Sequence, residues 1–110
     1  MIKPIVTMSQ DEQDNHFCIV MDKLNGTSSK KLALQTLMAT IYLNGSVSSY
    51  MVRKICPSHC SNEDAINELR KAGASIEYQG NNFVLKGFDD GEKCMMHFKN
   101  THAPHIKLSR

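Results

Sequence analysis

The chain has no tryptophan, and its apolar fraction, 41% of 110 residues, is slightly low for a globular domain. Part of it is therefore expected to lie outside the core, with the two ends as the candidates. No apolar run approaches the ~20 residues that cross a bilayer, so a membrane is not an expected partner. Residues Met1 to Met8 lack a basic stretch followed by a long apolar region, so no secretory signal is expected. The four cysteines then read as reduced thiols in a cytoplasm. Also missing are a Gly-rich phosphate loop, a paired-carboxylate motif and a cofactor fingerprint. Nothing marks an oxyanion hole or an orienting acid for a Cys–His pair. These absences point away from an enzyme and from any cofactor.

Cysteine and histidine are zinc ligands by type, and Cys56, His59 and Cys60 lie close together, with Cys18, Cys94, His97, His102 and His105 elsewhere. The Cys-x-x-x-Cys spacing is not a zinc pattern, and no second close cysteine pair completes four ligands. No metal is expected. Cys18 and Cys60 read more simply as small core residues.

Net charge is only +2, but it is unevenly spread. Residues 1–24 hold Lys3, Asp11, Glu12, Asp14, Asp22 and Lys23, and are acidic on balance. Residues 28–55 hold Lys30, Lys31, Arg53 and Lys54 and no acid. The last twenty residues are again basic, with His97, His102 and His105 among them. Basic charge gathered in two segments attracts a polyanion even when the total is small; any single lysine, taken alone, merely keeps a small domain in solution.

From Ser9 to Leu24, the residues Phe17, Val20, Met21 and Leu24 recur at i, i+3, i+4 and i+7, the spacing of one helix face. Ser9 with Glu12 makes a capping box. The continuous run Phe17 to Met21 also suits a strand, and Asn25-Gly26 ends the segment either way. A second helix is capped by Thr27, Ser28 or Ser29 and carries the stripe Leu34, Leu37, Met38, Ile41 and Tyr42 up to Asn44-Gly45. Ser46-Val47 is a short extended link. Ser48 caps a helix over 49–55 with Met51, Val52 and Ile55 on one side. Cys56 to Cys60 turns at Pro57. Ser61 caps another helix, with Ala65, Ile66, Leu69 and Ala72 as its buried stripe and Gly73 at its end. The period then changes to two. A Gly80-Asn81 loop sets Tyr78 opposite Phe83 and Ile76 opposite Leu85, so the four share one face. Lys93 to Lys99, with Cys94, Met95, Met96 and Phe98, is either a third strand or a short helix.

A long helix, an extended link, two short helices and a hairpin predict an α+β winged helix-turn-helix: a three-helix core with a C-terminal β-hairpin wing. Residues 1–26 form an N-terminal extension, 27–88 the domain, and 89–110 a C-terminal extension with a basic tail. The stretch Leu37 to Val47, then Ser48-Ser49, and above all Ile66-Asn67-Glu68-Leu69-Arg70-Lys71-Ala72-Gly73-Ala74-Ser75-Ile76, resembles the helix-turn-helix domain of small bacteriophage and prophage proteins. The resemblance covers about half of the chain. It implies a DNA-binding regulator of phage or plasmid type, working on duplex DNA.

By position, the resemblance implies a reading face of Ser61, Asn62, Asn67 and Arg70 on the third domain helix, asparagine and arginine being able to contact adenine and guanine bidentately. Lys30, Lys31, Arg53, Lys54 and Lys71 are the phosphate candidates, with Lys86 and the Lys99–Arg110 tail extending the footprint. Glu63, Asp64 and Glu68 on the same helix oppose phosphates. That keeps a second expectation open: a winged-helix module acting on a host replication or transcription protein. A homodimer through 9–24 and 93–99 fits the habit of such proteins to read two half-sites.

Overall fold

The structure is a computed structural model that describes residues 2–58 and 61–89. It is an α+β fold with four α-helices and a small antiparallel sheet. The elements in order are β1 (Ile2–Pro4), a 3-10 turn (Ile5–Thr7), α1 (Gln10–Lys23), α2 (Ser29–Asn44), β2 (Ser46–Ser48), α3 (Ser49–Ile55), α4 (Asn62–Lys71), β3 (Ala74–Gln79) and β4 (Asn82–Asp89). His59, Cys60, the segment 93–99 and the basic tail lie outside the described residues.

Serine opens every helix, because its hydroxyl accepts one of the orphan N–H groups of the first turn. Ser9 accepts from Glu12 N, and Glu12 returns a bond to Ser9 N, so the capping box forms. Ser28, rather than Thr27 or Ser29, caps α2. Ser48 caps α3 and Ser61 caps α4.

Helix α1 resolves the ambiguity of the Phe17–Met21 run. His16 through Val20 are all buried, so the helix is covered on nearly every side at this point. A continuous apolar run is the sequence of a fully covered helix as readily as of a covered strand. The capping box decides for the helix. Residues 1–26, set apart above as an extension, supply Met8, Phe17, Val20 and Leu24 to the cluster that also holds Leu37, Ile41, Ile66, Leu69 and Phe88. Phe17 stacks on Tyr42 with ring centroids 4.3 Å apart, and the Tyr42 hydroxyl donates to Asp14. Gln35 of α2 donates to Met21 O at 3.1 Å, satisfying a carbonyl in the last turns of α1.

Strand β4 organises the sheet. Along one edge it pairs with β3, with Tyr78 opposite Phe83 and Ile76 opposite Leu85 as the two-residue loop requires. Gly80, at φ 63°, supplies the left-handed residue of that loop. The other edge is shared: β2 pairs with residues 82–84 and β1 with 87–89. Strand β1 is an element that the sequence did not announce. A bulge between Ser75 and Ile76 leaves Lys86 without an opposite residue. Next to it, Gly87 is obligatory: a Cβ there would sit 2.1 Å from Lys3 O. Only glycine lets the β1 backbone come this close. Lys3 also forms an ion pair with Glu12 and holds its carboxyl below the usual carboxylate range. That link joins β1 to α1, and it is lost as pH falls far enough to protonate Glu12.

Candidate nucleic-acid interface

Helices α3 and α4 and the β3–β4 hairpin bring the expected site residues into two groups, Arg53, Ser61 and Asn62 beside the hairpin and Asn67, Arg70 and Lys71 along α4, but leave others out. The starts of α3 and α4 face the hairpin across a cleft of about 460 Å³, lined by Ser49, Arg53, Ser61, Asn62, Tyr78 and others. Ser49 pins the hairpin to α3: both its N–H and its hydroxyl donate to Asn81 O, at 2.9 and 3.1 Å.

Arg53 lines the cleft, and its neighbour Lys54 is exposed, with its ammonium 5.4 Å from the centre of the exposed Tyr50 ring. Helix α3 carries no acid, so its outer surface is cationic. Lys71 is three-quarters exposed on α4, 3.6 Å from Glu68. Asn67 is exposed as well.

The remaining expected readers are engaged inside the fold. Asn62 donates through Nδ2 to Ser49 O at 3.2 Å, which ties the start of α4 to the start of α3. Its Oδ1 is buried and has no donor among the described residues. Ser61 spends its hydroxyl on the cap. Arg70 commits four of its five guanidinium N–H groups: Nε and Nη2 donate to Ile76 O at 3.1 and 2.9 Å, and Nη1 to Glu63 at 2.8 Å and Asn67 at 2.9 Å. Ile76 lies at a position of the hairpin whose carbonyl turns away from β4. Arg70 therefore covers the open edge of β3, which would otherwise offer a bare carbonyl.

These pairs also change the electrostatics of α4. Glu63 is offset by Arg70 and Glu68 by Lys71. The acidity of the helix narrows to Asp64, in the first turn, where the helix dipole favours it.

Lys30, Lys31 and Lys86 belong to neither group. Lys30 and Lys31 stand at the start of α2, about 20 Å of helix from the α2–β2 junction. The Lys31 stem packs beside Gly26. Lys86 sits on the bulge beside Ile2, Pro4, Ile5 and Val6 of the N-terminal segment.

Two residues escaped the sequence reading. Tyr78 shares a sheet face with Ile76, Phe83 and Leu85, yet it is 54% exposed while those three are buried. It projects past the helices that cover them. His16 is buried and stacks on Phe88 at 5.6 Å. No periodic signal marks a histidine as buried, so only packing reveals it.

Cys18 is buried as expected and Cys56 is buried too, and burial pushes both thiols up. Among the described residues no three His, Cys, Asp or Glu side chains gather as metal ligands. No described helix is long and apolar enough to cross a membrane. No family model, curated protein or solved structure matches the chain.

Proposed function

We propose that the chain is a winged helix-turn-helix DNA-binding protein, of the regulatory type that the phage-like resemblance implies, acting on duplex DNA. The observation that carries this reading is the sequence α2–β2–α3–α4–β3–β4 with β2 antiparallel to the last strand of the hairpin. That is the order in which a winged helix sets two short helices and a wing on one side of a small core. The contact surface in this reading is led by α3. Arg53 and Lys54 meet phosphates, and the exposed Lys71 at the end of α4 is a further cation of this reading. Asn67 is the one expected reader on α4 that presents its amide outward, and it shares its Oδ1 with Arg70. The affinity is thus mostly electrostatic.

The test is a salt titration of binding to random-sequence duplex DNA. Affinity should fall steeply with salt, and Arg53→Ala with Lys54→Ala should flatten the log–log slope by about 2. No binding at low salt removes the reading. A protein partner is then favoured, because Tyr50 (66% exposed) and Leu43 (71%) already present apolar surface on α3 and at the end of α2.

A further inference from the structure

The cleft between the helix starts and the hairpin has a composition that paired, stacked DNA does not use. Its aromatic wall is Tyr78, half exposed, held against the buried Phe83 ring with centroids 4.9 Å apart. A ring backed by a buried neighbour keeps its place at little entropic cost. Arg53 supplies positive charge at the same cleft. Glu63 lines the cleft too, and is paired with Arg70. Asn62 lines the cleft and holds the starts of α3 and α4 together, its Nδ2 donating to Ser49 O. The cleft is shallow and open to solvent, so it would cover one face of a base rather than enclose it.

We propose that this cleft receives a single unstacked nucleotide of DNA, with its base on the Tyr78 ring and its phosphate at Arg53. The proposal rests on the nucleic-acid reading above and narrows its substrate to DNA with an unpaired base. A base in an intact duplex has both faces covered by its neighbours and cannot offer one to Tyr78. A bulged or single-stranded base has a free face, and stacking on an aromatic side chain is sequence-tolerant.

The test compares equilibrium binding at one low salt concentration to three DNA probes of equal length: a matched duplex, a duplex with one bulged thymine, and a single strand. The chain should bind the bulged probe about tenfold more tightly than the matched duplex. Tyr78→Phe should keep that preference. Tyr78→Leu, which keeps apolar bulk without a ring, should lose it while still binding the matched duplex. Arg53→Ala should weaken all three probes. Equal affinity of the unaltered chain for bulged and matched probes, or a preference that survives in Tyr78→Leu, overturns the proposal and leaves duplex binding standing. Failure to bind any probe overturns both.

Discussion

Helices α3 and α4 begin alike and present opposite surfaces. Each is opened by a serine whose hydroxyl accepts from the N–H three residues on, Met51 for Ser48 and Asp64 for Ser61. Each buries aliphatic side chains, Val52 in α3 and Ala65, Ile66 and Leu69 in α4. Each also ends in two consecutive cations, Arg53-Lys54 and Arg70-Lys71. Yet Arg53 and Lys54 are exposed on a helix that carries no acid of its own, whereas Arg70 is drawn into the fold. The difference is one of neighbours. After Gly73 the chain doubles back, and the turned-out carbonyl of Ile76 comes within reach of Arg70. The same residue type at the same place in a helix thus binds outward in one case and braces the fold in the other.

The largest expected effect tests the buried sides. Ile66→Ala should cost about 3 kcal/mol and Val52→Ala about 2 kcal/mol in chemical denaturation, because both side chains are fully buried and isoleucine loses one more carbon than valine. A cost near zero for either would mean that its helix is not anchored through that side chain. Next is the arginine contrast. Arg70→Ala should cost about 1–2 kcal/mol, since it strips Ile76 O of its donor and releases Glu63. Arg53→Ala, on an exposed side chain, should cost less stability than Arg70→Ala and lower DNA affinity instead. If Arg70→Ala melts normally and loses DNA binding, the contrast is reversed and Arg70 is a reading residue. The caps should behave as equals: Ser48→Ala and Ser61→Ala should each cost about 1 kcal/mol by thermal or chemical unfolding. The smallest effect tests the acid left over on α4. Asp64→Asn should tighten binding to duplex DNA about twofold in a titration at low salt. No change would place the first turn of α4 away from phosphates.

Much of the fold was legible because its signals are local. The Ser9–Glu12 box, the stripe from Leu34 to Tyr42, the Ser61 cap and the Gly80-Asn81 register each depend on residues a few positions apart. The site was less legible. Asn62 and Arg70 look like base readers by type, but their partners, Ser49 O and Ile76 O, are carbonyls whose position depends on how α3, α4 and β3 pack. Tyr78 reads as core by alternation, and its exposure follows from where the covering helices stop. Strand β1 is too short for a periodic signal, and it pairs only because Gly87 lets its backbone approach.

Sequence alone therefore determined the order of the helices from α2 onward and the turn of the hairpin, because caps, turn glycines and periodicity act within one turn or one loop. Tertiary structure alone decided which polar side chains face outward. Arg70, Asn62 and Tyr78 owe their roles to groups far along the chain, and hydrogen bonds and cover of that kind exist only once the elements have packed.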